Sequence, residues 1–455
     1  LLSLATRMGY CKANYLFVNF EVRTTDRYQL PYTNRELFHL TQVCDELFVT
    51  LVPSLDLNSS YIDANAAKAI IDRFLDDFPL SKVAHFGPNL TSILIEHRAI
   101  LDAVQKRAKK LYLSLDVDDR NGQLVDSLPP YVTLCVEGRY PLDIEAHLSP
   151  KINVVLKFAT SDVGYLCQAP ESTVRNAVLA AKLGEKVPIH GTMICELSTG
   201  CEIMPPSLAY VPEIATLGVS WNRDVDMKRF CYLLPRITAE HVLLDGKMTA
   251  LFQQAMTLGR VEHELTKLGA GLLRTGSAGS PSSIPNGVGP KKPPISVFVE
   301  MILNPDNMTL ERLTPVAFKK SRIELRRSLK ALDEARKELP YNFELALVLA
   351  EIQLVSELMA LASRLGQALC IHGGNPTTTG DHHVGLSTIN VGVANLPLTV
   401  RTDLANSLLE IRSKFQHTWL SRNIPSTLPN ALKIFDNLFR ALLPPSMQDY
   451  SKNLL

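Results

Sequence analysis

The chain has 455 residues, of which 46% are hydrophobic and 20% charged, and its 47 basic and 46 acidic residues leave a formal net charge of +1. This composition is typical of a globular protein of two or three domains, and it excludes a disordered or collagen-like chain. The near-neutral balance argues against nucleic acid as a partner, because phosphate binding normally requires a basic excess. No run approaches the ~18 apolar residues of a membrane span, so the sequence predicts no membrane partner.

Eight cysteines are scattered singly along the chain, without the CxxC spacing of a zinc site. This pattern indicates buried, reduced thiols in a cytosolic protein. The chain opens without a methionine, inside the helical pattern LLSLATRMGY, and shows no signal peptide, which predicts that its natural start lies upstream. We therefore predict a cytoplasmic protein, with the nucleus as an alternative location.

Seven short apolar runs alternate with amphipathic stretches in the first half of the chain. The runs are nearly continuous in hydrophobicity, as strands buried on both faces are: Tyr15–Phe20, Leu47–Val52, Lys82–Phe86, Leu111–Leu115, Tyr131–Val136, Ile152–Phe158 and Gly191–Glu196. The helical patterns between them are Arg35–Asp45, Asn65–Phe78, Leu90–Lys109 and Ser172–Leu183. The alternation predicts an α/β fold, a (β/α)8 TIM-type barrel whose first strand is missing from this chain. An open doubly wound sheet is the alternative, without the GxGxxG fingerprint of its cofactor-binding form.

The composition and the hydrophobic pattern of the sequence change after residue 240, which predicts further domains. We assign residues 1–240 to the barrel, 241–274 to a helical extension, 275–295 to a flexible Gly/Pro/Ser linker and 296–455 to a mainly α-helical C-terminal region. Long helices are predicted there over Leu310–Leu339, Phe343–Cys370, Thr402–Leu420 and Pro429–Leu442. The basic segment KKSRIELRRSLKALDEARK is interpreted as a solvated helix face, because acidic residues interleave with the basic ones.

Common catalytic motifs are absent from the sequence: it has no GxxxxGK[ST], no HExxH and no GxSxG. One cluster, His372, Asp381, His382 and His383, has metal-ligating side chains, but it lies in a Gly/Thr-rich loop without a helical scaffold. We interpret that segment as a loop rather than a metal site. No metal and no organic cofactor are predicted.

The end of the third predicted strand carries the segment His85-Phe86-Gly87-Pro88-Asn89-Leu90. It resembles the His-x-Gly-x-Asp-Glu motif of glycoside hydrolase family 20, the β-N-acetylhexosaminidases, most closely their hexosaminidase D branch. Further resemblances follow in the family's order: Glu21 with Leu30-Pro31-Tyr32-Thr33, the strand LFVTLVPSLDLNSSY, and the acidic pair Asp118-Asp119. The similarity covers residues 1–240 and, more weakly, the C-terminal tail.

Departures from the family motif decide the functional expectation. In the family, the sugar's own acetamide attacks the anomeric carbon, a Glu protonates the leaving oxygen and the adjacent Asp holds the acetamide. At the matching positions stand Leu90 and Asn89. Leucine cannot supply general acid catalysis, which contributes about 10²–10⁴-fold, and a neutral amide cannot offset the developing positive charge as a carboxylate does. The resemblance therefore implies an N-acetylhexosamine glycan as partner and an impaired activity.

Other positions of the family's sugar pocket also lack the residues that the family has there. The family's Gln and His fall on Ser54 and Asn58, and its Trp residues fall on Val117 and Leu197, with Trp221 as the alternative for the last. The candidate substrate-binding residues are His85, Asp118, Asp119, Glu137 and Glu196.

Several alternatives stay open from the sequence. The sequence is equally compatible with His85 as a packed histidine of the barrel and with Asn89 as a helix N-cap. Glu137 or Glu196, each at a strand end, could act as a relocated acid in an active exo-β-N-acetylhexosaminidase. A third possibility is a structural protein whose helical half binds a protein partner.

Overall fold

The computed structural model describes residues 1–22, 30, 32–57, 63–108, 110–114, 128–137, 152–159, 165–167, 170–185, 189–195, 203–269, 296–308, 310, 313–338, 342–373 and 392–444. The chain divides into two compact units. The first comprises Leu1–Phe158, Val174–Cys195 and Ile214–Met227, and the second comprises Ala159–Thr173, Glu196–Glu213 and Lys228–Leu455. The boundaries expected at residues 240, 274 and 295 stay predictions.

A seven-stranded sheet, curled into a half-barrel, is the centre of the first unit. Its strands are β1 Tyr15–Val22, β2 Thr50–Leu57, β3 Val83–Phe86, β4 Lys110–Ser114, β5 Val132–Glu137, β6 Asn153–Ala159 and β7 Ile189–Cys195. They are ordered β1-β2-β3-β4-β5-β6-β7, and each pair from β1 to β6 is parallel. This sequential order is that of a barrel-type sheet, since a doubly wound sheet reverses its strand order at a switch point. The predicted parallel α/β architecture is confirmed; the eighth strand stays a prediction.

The second strand begins three residues later than the sequence predicts. Phe48 adopts a left-handed backbone conformation with φ of 58° and is 91% exposed, so it ends the turn after a helix instead of starting a strand. Pro53 lies in the middle of β2, opposite Val18. Proline has no N–H to donate to a neighbouring strand, so it argues against a strand. For this reason the sequence prediction did not include the second half of β2.

The structure describes seven helices between residues 1 and 221. They are α1 Leu2–Tyr10, α2 Asn34–Glu46, α3 Ala64–Asp77, α4 Pro88–Glu96, α5 Arg98–Arg107, α6 Pro170–Leu183 and α7 Tyr210–Trp221. Asp63 is the N-cap of α3, and α6 begins at Pro170. The single helix predicted over Leu90–Lys109 is wrong, because His97 has a non-helical backbone (φ −110°, ψ 71°) that separates α4 from α5.

Both faces of the sheet are buried, as the continuous apolar strands indicate. One face packs against helices in a large apolar core that includes Leu55, Phe86, Leu113 and Leu134. Side chains from alternate strand positions form a second, smaller cluster on the other face: Val52, Val83, Tyr112, Cys135, Val155 and Met193. We call this second face the inner face of the sheet.

The second unit is mainly helical, which confirms the predicted C-terminal region. Its helices continue with α8 Met227–Val242, α9 Thr249–Gly269, α10 Val297–Leu303, α11 Pro315–Glu338, α12 Phe343–His372, α13 Leu398–Arg422 and α14 Leu428–Leu442. Short 3₁₀ helices cover Pro206–Ala209, Gly246–Met248, Pro305–Asn307, Val393–Asn395 and Pro425–Thr427.

Helix α12 is long and apolar enough to cross a membrane by length and composition, with a mean hydropathy of 1.9 in its most apolar window. The sequence predicts this helix over Phe343–Cys370 but not as a possible membrane span, because Glu344, Glu351 and Glu357 interrupt its apolar runs. In the described part of the chain, 78% of that window is buried. Buried core helices of soluble proteins also have this composition and length.

Candidate functional site

The inner face of the sheet changes from apolar to polar along the strands. Because side chains alternate, a residue two positions beyond an inner-face residue shares its face. On four strands that residue is polar: Ser54 follows Val52, His85 follows Val83, Ser114 follows Tyr112 and Lys157 follows Val155. Together with Asn19 of β1, these four side chains form what we call the polar layer. It lies in the carboxyl-terminal half of the strands, the end at which barrel enzymes carry their sites.

Hydrogen bonds connect the polar layer across five strands. The Ser54 hydroxyl is 2.9 Å from Asn19 Oδ1 and 2.6 Å from His85 Nδ1. On the other side of the imidazole, His85 Nε2 is 2.8 Å from Ser114 Oγ. Lys157 Nζ donates to the same Ser114 oxygen at 3.4 Å. The layer is therefore one continuous chain of polar contacts.

The direction of each hydrogen bond follows from the two groups at the ends of this series of contacts, the Asn19 amide and the Lys157 ammonium group. An amide oxygen only accepts, so the Ser54 hydroxyl donates its single proton to Asn19. Ser54 must then accept from His85, which places the imidazole proton on Nδ1 and leaves Nε2 as an acceptor. The Ser114 hydroxyl donates to that Nε2 and accepts from Lys157, which has donors only. Every hydroxyl and imidazole proton is thus used inside the layer.

His85 is uncharged at neutral pH. Its burial, followed by the positive charge of Lys157, lowers its pKa from 6.5 to about 3. The edge-to-face ring of Phe17, 5.5 Å away between centroids, covers one side of the imidazole. A general base works best with a pKa near the operating pH. His85 is therefore a weak base, and its role in the layer is to bridge Ser54 and Ser114.

The protonation of His85 predicts a loss of stability in mild acid. Because the pKa of His85 is lower in the folded than in the unfolded chain, stability falls as the pH drops from about 6.5 towards about 3. This one group should lower the free energy of unfolding by about 2 kcal/mol between pH 7 and pH 5. Urea unfolding of the wild type and His85→Gln at both pH values measures it. Equal pH dependence in the two proteins would contradict a neutral, buried His85.

The two residues that replace the family's acid pair do not belong to the polar layer. Helix α4 begins at Pro88 with Gly87 as its N-cap, so the N-cap role considered for Asn89 is wrong. Asn89 instead donates from Nδ2 to the Leu57 carbonyl at 2.5 Å. Leu90 is 0% exposed and belongs to the apolar core between the sheet and the helices. That these positions are relics of a catalytic pair stays a prediction.

Asp56, near the end of β2, is the residue that sequence reasoning missed at this position. Its Oδ1 accepts from the Leu90 N–H at 3.3 Å. It lies so close to Gly87 that a Cβ atom there would be 2.2 Å from Asp56 Cγ. The carboxylate therefore sits at the amino end of α4, where the helix dipole favours negative charge. An acidic residue inside a largely buried strand was the available signal.

Most of the other predicted site residues are not described by the structure. Asp118, Asp119 and Glu196 lie outside the described residues, as do Asn58, Val117 and Leu197. Glu137 ends β5 as the register partner of Lys157, and its side chain is also outside the described part. Of the five candidate substrate-binding residues, His85 is the one whose side chain the structure places in the polar layer.

Trp221, the alternative aromatic residue, ends helix α7 and is 61% exposed. Its Nε1 donates to the Lys12 carbonyl at 3.0 Å. Within the described ranges, no group of three or more His, Cys, Asp or Glu side chains could hold a metal ion. His372 ends α12, whereas Asp381, His382 and His383 lie outside those ranges.

Comparisons with known proteins give structural likenesses only. No protein-family model and no curated protein sequence matches the chain. A variant of the Thermobaculum terrenum O-GlcNAc hydrolase is 10% identical with a TM-score of 0.42, over 100% of this chain and 93% of its own. CpGH84B is 10% identical with a TM-score of 0.45, over 97% and 74%. A family 89 glycoside hydrolase from Clostridium perfringens, in complex with PUGNAc, is 10% identical with a TM-score of 0.40, over 86% and 43%.

These structural neighbours are glycoside hydrolases, but of families other than family 20. At 10% identity and TM-scores below 0.5, they determine neither the family nor the substrate of this chain. The assignment to family 20 therefore stays a prediction from the resemblance of residues.

Asn19, Ser114 and Lys157 are the members of the polar layer that the sequence analysis did not select. Each interrupts an apolar strand, in the runs YLFVNF, LYLSL and NVVLKF. A polar residue in a strand buried on both faces needs a partner, which is the signal that could have found them. What the sequence could not supply is the register that brings them together.

Proposed function

We propose that this chain binds glycans with a terminal N-acetylhexosamine and does not hydrolyse them. The observation that carries the proposal is the placement of Leu90, fully buried in the core at the position where the resembled family has its general acid. A side chain there has neither a proton to give nor access to a leaving oxygen. General acid catalysis requires a donor within hydrogen-bond reach of that oxygen.

The polar layer supports the same proposal. Its members are an amide, two hydroxyls, a neutral imidazole and an ammonium group, and the carboxylate of Asp56, two positions beyond Ser54, accepts from the Leu90 N–H. Glycosidases of the two-carboxylate type need an acid and a second carboxylate or the substrate's acetamide. Amide, hydroxyl and ammonium groups instead suit the binding of sugar hydroxyl and carbonyl oxygens.

Hydrolysis and binding can be measured separately on the full chain. We expect no release of p-nitrophenol from its N-acetyl-β-glucosaminide, and a rise in melting temperature with N-acetylglucosamine or its thiazoline analogue but not with glucose. Glu137→Gln and Glu196→Gln test the alternative of a relocated acid. Turnover by the wild type that either variant abolishes would establish an active glycosidase, and the absence of any sugar effect would refute the glycan-binding proposal.

A further inference from the structure

Three arginines of the helical unit lie close together on two neighbouring helices. Arg322 and Arg326 are one turn apart on α11, and Arg364 is on α12. Burial, and then the positive charges of Arg326 and Arg364, lower the pKa of Arg322. Charges influence one another in this way only at short range in a solvated protein, so the three guanidinium groups are near one another. We call Arg322, Arg326 and Arg364 the arginine cluster.

Neutral acceptors hold two of the three guanidinium groups in place. Arg322 Nη1 donates to Gln367 Oε1 at 2.6 Å. Arg364 Nη1 donates to Ser407 Oγ, on α13, at 3.0 Å. A guanidinium group has five N–H donors in a planar fork, so each of the two keeps donors for a ligand. These contacts orient the groups but do not neutralise their charge.

The acidic residues that interleave along α11 form ion pairs with basic residues outside the cluster. Glu324 lies between Arg322 and Arg326 in the sequence, but its carboxylate pairs with Arg327 at 2.6 Å. Further along the helix, Glu334 lies 4.0 Å from Lys330. The helix face is therefore solvated and mixed in charge, as the sequence predicts, but its acids do not neutralise the cluster.

No acidic residue flanks the cluster along its own helices. A helix places its ion-pairing neighbours three and four residues away, and at those distances from each cluster arginine the sequence has no Asp or Glu. On α13, Asp403 is exposed and lies one turn before Ser407. None of the ion pairs between described side chains includes Asp403. A positive field therefore remains at the surface where α11 and α12 meet.

The cluster is partly recessed and lies beside exposed apolar side chains. Arg322 and Arg364 are half-buried, whereas Arg326 is exposed. Ile323, next to the cluster on α11, is 41% exposed, and Val316, two turns earlier, is 60% exposed. A projecting side chain reaches half-buried guanidinium groups more readily than the flat surface of a membrane does. A peptide that carries such a side chain would also cover Ile323.

The charge of the cluster favours phosphate over carboxylate. One carboxylate carries a single negative charge, whereas a phosphorylated side chain carries about −1.5 to −2 at neutral pH and has three acceptor oxygens. The planar fork of arginine also matches phosphate, to which it donates two parallel hydrogen bonds. Two of the forks are already oriented by Gln367 and Ser407, so a phosphate group would need to order few side chains.

We infer that the arginine cluster is a docking site for a phosphorylated serine or threonine of a peptide partner. The phosphate oxygens accept from the guanidinium N–H groups that Gln367 and Ser407 leave unused, and the residues beside the phosphorylated one cover Ile323. The inference goes beyond the proposed function, because the polar layer belongs to the first compact unit and the cluster to the second.

Fluorescence anisotropy with the full chain tests this inference. The probes are two fluorescein-labelled peptide mixtures with random flanking residues and a fixed central residue, phosphoserine in one mixture and serine in the other. We expect the phosphoserine mixture to bind at least about tenfold more tightly. Arg364→Gln and Arg326→Gln should each remove most of this difference. Because Arg326 is exposed, its variant keeps the test decisive if a change at the half-buried Arg364 unfolds the chain.

Arg327→Gln is the matched control. Arg327 is on the same helix as Arg326 and is paired with Glu324. The variant removes the same charge from α11 and should keep the preference for phosphoserine. The rise in melting temperature with N-acetylglucosamine should be the same in the wild type and in all three variants, because none of them changes the polar layer.

Four outcomes would overturn the inference. The first is equal affinity for the phosphoserine and serine mixtures. The second is a preference that survives in Arg326→Gln or that Arg327→Gln reduces to the same extent. Inorganic phosphate that displaces the phosphoserine mixture at equal concentration would show a site for the free anion and not for a peptide. Binding to phosphatidylserine vesicles that the cluster variants lose, without any preference for phosphoserine, would assign this surface to a membrane.

Discussion

Replacing Gly87 with alanine is expected to lower the free energy of unfolding by about 3 kcal/mol, at the upper end of the range for overpacked sites. The new Cβ atom would lie 2.2 Å from Asp56 Cγ and 2.4 Å from Asp56 Cβ. Because a Cβ atom cannot swing away as a flexible side-chain tip can, β2 or the start of α4 must shift. The backbone of Gly87 has φ −72°, so the cost is steric and does not come from a conformation reserved for glycine.

Urea unfolding of Gly87→Ala and of a glycine control measures this cost. Gly191→Ala is the control, because a Cβ atom there meets no heavy atom within 4 Å. It should leave stability unchanged or raise it slightly, by reducing the entropy of the unfolded chain. Gly87→Ala combined with Asp56→Gly should cost less than the two single changes added together, since it removes the clashing atoms. Strict additivity, or a cost equal to that of Gly191→Ala, would contradict the close approach of Asp56.

The elements of the fold were predictable because their signals are local. An apolar run such as YLFVNF predicts a buried strand by itself, and β1 is observed over Tyr15–Val22. The errors arose where one residue changes the backbone: Phe48 and Pro53 displaced the prediction for β2, and His97 divides the helix predicted over Leu90–Lys109. Such single-residue interruptions carry little weight in a periodicity that is averaged over a window.

The candidate site was less predictable because its contacts are distant in sequence. His85 meets Ser54 and Ser114, which lie 31 and 29 residues away, only because the strand register places them side by side. The direction of Leu90 depends on helix α4 starting at Pro88, one residue after the Gly87 N-cap. A motif aligned by spacing alone matched Leu90 to a catalytic position at the end of the third strand. The helix turns it into the core instead.

The second large effect is expected from Glu262, a fully buried carboxylate of α9. It accepts hydrogen bonds from the Leu166 N–H at 2.8 Å, from the Cys167 N–H at 2.5 Å and from the Ser296 hydroxyl. The Ser296 oxygen in turn accepts from the first N–H groups of α10, as its N-cap. One carboxylate thus connects the segment 165–167, helix α9 and the start of helix α10.

Glu262→Ala should lower the free energy of unfolding by at least about 3 kcal/mol, because each buried donor left without a partner costs about 1–3 kcal/mol. The loss should also be local: hydrogen exchange at the Leu166 and Cys167 amides should become faster than at the sheet core. Glu264→Ala, at an exposed position of the same helix, is the matched control and should change neither quantity. Glu262→Gln keeps one acceptor oxygen, so its cost should fall between the two. Unchanged amide protection in Glu262→Ala would mean that these hydrogen bonds do not hold the segment, and that apolar packing of α9 alone fixes it.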